Sequence, residues 1–394
     1  MKAKVLFLTT LFISSLMFMG CNSNNKPEAV GDITKQTEIA AYSEISESRG
    51  STESYEEAPT EASNQQLDIT LAFAGDLSLA DNYVVMDYYH NEAGEDLANC
   101  IDSAYIKRMN DADVMWINNE FCYSNQGSPI PGKAYTFCAA PENVSILKEL
   151  GVDIVGLANN HVYDFGPEAF ADTLATLRGA EIAYVGAGAD IKEASAPVYV
   201  DVDGYKIAYV AATRAEKNIK TPEATETSGG VFRCYDNTDY IEKIKEAKAN
   251  ADYVIALPHW GAEHSTILEA AQTDGAKEYI DAGADAVIGA HTHCLQGMDF
   301  YNGKPIIYSL GNFWFDDYTL DTMLLELHLT GTTDHVQVTV EMVPGTQSER
   351  VTRMSSTVQE RNRIYAYMES ISSNIGITPA TEEDNGGIVF PVTK

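Results

Sequence analysis

Positive charge is the scarcest property of this chain: 26 Lys and Arg stand against 58 Asp and Glu, a formal net charge of −32 over 394 residues. A surface of that sign repels phosphate backbones and anionic headgroups, so nucleic acid is excluded as a partner, and so is a purely electrostatic hold on a lipid surface. Cysteine is sparse too. Six are present and no two are spaced CxxC, which argues against a thiolate zinc site. Beyond Cys21 five remain, an odd number that cannot form a complete disulfide framework. Cys122 and Cys138 could bridge in an oxidising space or stand as two buried thiols. The longest mostly apolar stretch, Val5 to Met19, has fifteen residues, short of the roughly twenty that a bilayer-spanning helix needs. No internal repeat is visible. What the chain does have is 45% hydrophobic residues, enough for a sizeable core.

The stretch from Val5 to Met19 follows Lys2 and Lys4 and ends in Gly20-Cys21, the layout of an export signal. Its FMGC ending resembles a bacterial lipoprotein box, which makes Cys21 the expected lipid-bearing residue; an ordinary secretory signal is the alternative. Either way residues 1–21 are expected to lie outside the fold, and the mature protein outside the cytoplasm, anchored to the cell membrane by lipid or secreted. Residues 22–66 carry nine acidic and three basic residues among Ser, Thr, Ala and Asn, without apolar periodicity. Such a segment buries too little surface to offset its ordering entropy and reads as a disordered tether. The folded domain is expected over 67–345, followed by a C-terminal helix and an irregular tail over 346–394.

Within the domain, short apolar runs alternate with helical patterns. Asn143 to Leu150, Pro167 to Arg178, Asp239 to Asn250 and Leu268 to Ala282 carry apolar residues at helical spacing. Pro167 suits a first helical position. Asp203-Gly204, between Val198–Asp201 and Lys206–Ala212, signals a hairpin. Ile306–Leu310, Met323–Leu329 and Val336–Val343 read as further strands, the last two joined through Gly331 to Asp334. Arg350 to Ile371 reads as one amphipathic helix. Hairpins among βα units predict an α/β fold of two packed mixed sheets flanked by helices.

Asp76, Glu120, His161, His259, His291 and His293 each follow the end of an apolar, strand-like run. An open α/β sheet gathers the carboxyl ends of its strands into one crevice, so residues more than two hundred positions apart can converge. Gly75 permits a sharp turn before Asp76. Asn118 and Glu120, two apart after a strand, can point the same way. Imidazole, carboxylate and amide oxygen together suit zinc, iron or manganese rather than calcium.

The motifs GD at 75–76, NxE at 118–120, LANNHxxDFG at 157–166, HWGxE at 259–263, GAHTHxxQG at 289–297 and YSLGNFxFD at 308–316 resemble the CapA/PgsA family of capsule and poly-γ-glutamate synthesis proteins. That resemblance implies a four-layer αββα sandwich similar to calcineurin-like metallophosphoesterases. It implies one or two divalent ions held by Asp76, Glu120, Asn160, His259, His291 and His293, with Asn160 and His161 in catalytic positions and His161 as the acid or charge stabiliser. Two departures stand out. The superfamily's DxH appears as Asp76-Leu77-Ser78, and its GNHD as Asn159-Asn160-His161-Val162, without the carboxylate. Asn118, Asn312, Trp260 and Arg214 are expected to contact substrate, Trp260 by stacking and Arg214, with Lys133, by local positive charge. His264 reads as an inert surface residue, and His328 and His335 as exposed strand residues. The family implies either a metal-dependent hydrolase acting on a phosphoester or γ-glutamyl bond of an anionic polymer, or a non-catalytic polymer-binding or scaffold component beside membrane synthase partners.

Overall fold

A computed structural model describes residues 6–7, 65–216, 220–379 and 385–392. Cys21 and nearly all of the expected leader and tether lie outside the described residues. In chain order the strands that place the site are β1 (Gln66–Leu77), β2 (Val114–Asn119), β3 (Ile154–Gly156), β4 (Ala183–Val185), β5 (Val198–Val202), β6 (Tyr205–Thr213), β7 (Tyr253–His259), β8 (Ala286–Ile288), β9 (Met298–Tyr301), β10 (Lys304–Ile307), β11 (Asn312–Trp314), β12 (Leu320–Thr332), β13 (His335–Ser348), β14 (Val351–Met354), β15 (Ile375–Pro379) and β16 (Gly387–Pro391). The main helices are α1 (Ser103–Asp111), α2 (Val144–Glu149), α3 (Gly166–Gly179), α4 (Thr238–Asn250), α5 (Ala270–Ala282) and α6 (Val358–Ile371).

These strands form two mixed sheets. One runs β15-β16-β13-β12-β1-β2-β3-β4, with β11 beside β1 and β14 beside β13. The other runs β5-β6-β7-β8-β10-β9, with Leu6–Phe7 antiparallel to Val200–Asp201 at its edge. Period-2 alternation decides which face each residue covers. Along β1, Leu67, Ile69, Leu71 and Phe73 join Ile207, Tyr209 and Ala211 of β6 in a core between the sheets. Their neighbours Ala72 and Ala74 face α1, α2 and α3, while Ala208, Val210 and Ala212 face α4 and α5. The result is the expected αββα layering.

The Asp203-Gly204 hairpin forms as the sequence predicts. Both residues have positive φ (52° and 85°), and Val202 pairs with Tyr205 across a two-residue loop. The C-terminal region differs from its expected form. Residues 351–354 are the strand β14, not the start of a helix; Glu349 and Arg350, at φ 51° and 70°, turn the chain back against β13. The tail is not irregular either: β15 and β16 extend the sheet, with Val389 opposite Val340. His328 is half-buried rather than exposed, because its Nε2 meets Glu341 Oε2 at 2.8 Å beside the Arg108–Glu326 pair. Cys122 and Cys138 are free thiols, although they are direct partners in a two-residue parallel ladder. No helix among the described residues is long and apolar enough to cross a membrane.

Candidate metal centre

The carboxyl ends of β1, β2, β3, β7 and β8 meet at one place. β1 can reach it only through a glycine. A Cβ at Gly75 would lie 1.9 Å from the Gly311 carbonyl oxygen, which accepts the Asp76 N–H at 2.8 Å. Gly75→Ala is therefore expected to destabilise the fold by about 3 kcal/mol or more, since backbone rather than a side chain must move. A fall in the urea midpoint at unchanged slope would show it. Parallel register sets Asp76 beside Asn118, and the Glu120 N–H donates to Leu77 O at 3.1 Å. After β8, His291 and His293 have φ of 101° and 55°. Left-handed backbone at a non-glycine costs about 1–3 kcal/mol and clusters at functional sites.

The side chains converge as expected. Glu120, His259 and His291 offer ligand atoms within 4.8 Å of one another, and so do Asp76, Glu120 and His293. Glu120 is common to both triads. Its Oε1 lies 3.6 Å from His259 Nε2 and 3.7 Å from His293 Nε2, while Asp76 Oδ2 is 3.3 Å from His293 Nδ1. Asn160 Oδ1 faces His259 Nε2 at 2.9 Å. The rings of His259 and His291 are 4.6 Å apart, those of His291 and His293 6.3 Å. Three buried atoms here have no hydrogen-bond partner: Asp76 Oδ2, Glu120 Oε1 and His291 Nδ1. Leaving such atoms unpaired costs about 1–3 kcal/mol each, and all three are donor atoms for a divalent ion. The residues present fit a metal.

Electrostatics agree. Burial pushes the Glu120 carboxyl well above its ordinary range, and the Asp76 charge adds to it. Burial acts the same way on Asp76, but the charge of His293 beside it, with the Asn118 amide, outweighs it and holds Asp76 low. Burial and neighbouring imidazoles drive His259 far down and His291 to about 3. His293 goes the other way, to about 10, because Glu120 and Asp76 overcome its burial. Without metal, His293 is thus protonated at neutral pH and Glu120 holds its proton more tightly than usual. A cation must displace the His293 proton and compete with the raised proton affinity of Glu120. Metal uptake at pH 7 is expected to release about one to two protons, with affinity rising as pH rises. Calorimetry in buffers of different ionisation enthalpy would count them.

Other expected site residues have different duties. Asn118 is buried and donates to Asp76 Oδ1 at 2.7 Å and Glu120 Oε2 at 3.0 Å, fixing both carboxylates. Asn312 accepts from His293 Nδ1 at 2.8 Å and donates to Asp316, so both ends of its amide are engaged within the protein. Trp260 is wholly buried, stacks on Tyr279 and donates Nε1–H to Tyr308 O at 2.9 Å; it has no open face for a substrate to stack on. Arg214 donates to Tyr235 O at 2.7 Å and lies over that ring. His264, read as inert, is exposed but sits with its ring 5.9 Å from that of His293, at the rim of the site.

The carboxylate missing after His161 is supplied three residues later. Asp164 Oδ2 meets His161 Nδ1 at 2.7 Å, accepts the Phe137 N–H at 2.8 Å, and its Oδ1 accepts from Lys133 at 2.7 Å. Burial lowers the His161 pKa, with Asp164 opposing and Lys133 assisting. The DFG of 164–166 carried that signal in the sequence. Phe137 and Phe315 wall the site, 4.6 Å from His161 and 4.7 Å from His293, ring to ring.

The family described as "Bacterial capsule synthesis protein PGA_cap" matches residues 70–317, which is more than half of the chain. The protein belongs to that family. Among its curated relatives, the chain is 34% identical over 241 residues to "Capsule biosynthesis protein CapA" of Bacillus anthracis, covering 60% of this chain and 57% of that protein. It is 32% identical over 303 residues to the "Probable polyglutamine synthesis accessory protein" of Mycobacterium tuberculosis (strain H37Rv), covering 72% of this chain and 78% of that one. Among solved structures, a hypothetical protein from Thermus thermophilus aligns with 71% of this chain and 100% of its own, at 14% identity and a TM-score of 0.44. The PGA_cap match holds every residue of the two triads.

Proposed function

We propose that this PGA_cap protein is a metal-dependent hydrolase of capsule or poly-γ-glutamate synthesis, acting outside the cytoplasm on a phosphoester or γ-glutamyl bond. One observation carries the reading: two donor triads share Glu120 and leave three buried ligand atoms without partners, next to a His161–Asp164 pair. The names of the relatives support the polymer. The Val5–Met19 run ending in Gly20-Cys21 supports an exported chain anchored through Cys21, where synthase partners in the membrane would be within reach.

Asp76, Glu120, Asn160, His259, His291 and His293 would hold one or two ions, with manganese, iron or zinc suiting this donor set. A bound divalent cation supplies Lewis acidity, lowering the pKa of water and neutralising charge as it develops. The chain's own groups do the rest. Asn118 fixes the two carboxylates. Asp164 accepts the Nδ1–H of His161, leaving Nε2 as the acceptor at neutral pH. His161 can therefore take a proton from attacking water and return it to the leaving-group oxygen or nitrogen. Phe137 and Phe315 restrict water around it.

A second reading, a polymer-binding scaffold without turnover, draws on Ser78. It stands where the superfamily has a histidine, and its buried hydroxyl accepts the Ala80 N–H. Protein purified without chelators and assayed on a phosphomonoester, a phosphodiester and poly-γ-glutamate separates the two. Bound metal with turnover supports the hydrolase. Bound metal with every substrate intact supports the scaffold. Protein that takes up no manganese, iron or zinc overturns the hydrolase.

A further inference from the structure

Of two cations beside the candidate metal centre, Arg233 is buried and Lys133 partly so, and Arg233 is incompletely paired. Arg233 is only 7% exposed. Its Nη2 donates to the Thr221 carbonyl, yet Nε and Nη1 have no hydrogen-bond partner among the described residues. Glu216 Oε2 is 4.0 Å from Nη2, beyond hydrogen-bond reach, and accepts the N–H groups of Lys220 and Thr221 at 2.8 and 2.9 Å. A buried guanidinium with idle donors is costly. Its planar fork matches the two oxygens of a carboxylate or phosphate.

Arg233 is tied to the imidazole cluster through short links. Its backbone bridges Thr213, which pairs with His259 across β6 and β7. The Thr221 hydroxyl donates to the Asn160 carbonyl at 2.7 Å, and Lys133 Nζ donates to the same oxygen. Lys133 in turn lies 3.7 Å from Glu216. Glu216 and Asp164 balance the two cations in charge but do not use the donors of Arg233. We propose that Arg233, with Lys133 beside it, forms a subsite for a two-oxygen anion of the substrate, next to the metal centre on its Asn160 side. This deepens the hydrolase or scaffold reading above and rests on it for the identity of the substrate. The shared chemistry has two sources, the side carboxylates of a polyanion or a phosphate group.

The test titrates the full chain with inorganic phosphate and with a short γ-linked glutamate oligomer, each in roughly 0.15 M chloride to screen the net charge, comparing wild type, Arg233→Gln and Arg233→Lys. Wild type is expected to bind at least one of the two, and Arg233→Gln to bind it about ten-fold or more weakly, a difference near ~1.4 kcal/mol. Arg233→Lys keeps the charge without the fork and is expected to lose a similar factor; it decides the matter should the Gln variant not fold. Preference for phosphate supports an ester-bearing substrate, and preference for the oligomer a carboxylate polymer. Wild-type binding of neither anion above the chloride background, or unchanged binding in a folded variant, overturns the subsite. Running each titration with and without prior chelation keeps the two proposals apart: dependence on Arg233 in chelated protein sustains the subsite even where no metal is retained.

Discussion

Glu120→Gln is expected to lower metal retention by about a hundred-fold or more, a larger loss than removal of any one imidazole should cause. Hydrogen-bonded supports around a metal ligand are worth about 10–100-fold, and Glu120 is itself a ligand atom source for both triads. His259→Ala would strip one triad and leave Asp76, Glu120 and His293 in place. Glu120→Gln removes the shared oxygen from both. Stability of the metal-free protein should respond in the opposite sense. The Glu120 carboxyl is buried beside Asp76, and burial with that neighbouring charge already opposes its ionisation. A neutral amide of the same shape removes this conflict, so the chelated variant is expected to melt no lower than chelated wild type. Elemental analysis and thermal unfolding read the two effects separately. Full metal content in the folded variant would sink the shared-ligand assignment.

His161→Asn is expected to reduce turnover by about 10²–10⁴-fold, the usual contribution of a positioned proton-transfer group. Metal content should stay near wild type, since neither triad includes His161. Asp164→Asn leaves the imidazole in place but presents an amide where Nδ1–H now finds a carboxylate, so it should lower turnover as well. The two losses should not add, because both act through one imidazole. A double variant as slow as His161→Asn alone fits the pair acting as a unit. Additive losses would mean that Asp164 serves mainly to hold Lys133 and the Phe137 backbone.

The parts legible in the sequence are those with a local physical signature. Asp203-Gly204 specifies a turn by itself, and α3, α4 and α5 show helical spacing. The ligand set can be read because each polar residue follows an apolar run whose end topology delivers to a common place. What escapes depends on distant partners. β15 and β16 are only five residues each and hold Gly and Pro, and they become strands only because the β13 edge is available to pair. The run from Arg350 reads as one helix, although the capping box of Thr357 and Glu360 marks the true start of α6. Trp260 lies within a family motif, and position alone cannot separate a stacking platform from a packed ring. Asp164 escapes because the expected partner is the residue adjacent to His161, whereas the turn of 161–164 brings the third residue onward to Nδ1.

The strand β12 lies directly against β1, with Leu324 opposite Ala74, and β13 lies beyond it. The segment that matches the family ends at residue 317, before this pairing begins. A recombinant fragment trimmed to that match would present the backbone amides of the very strand that carries Asp76 as a bare template. Unpaired edges of that kind recruit other chains, so such a fragment should clump before it could be assayed, and cloning boundaries are best drawn to retain the chain through Val392.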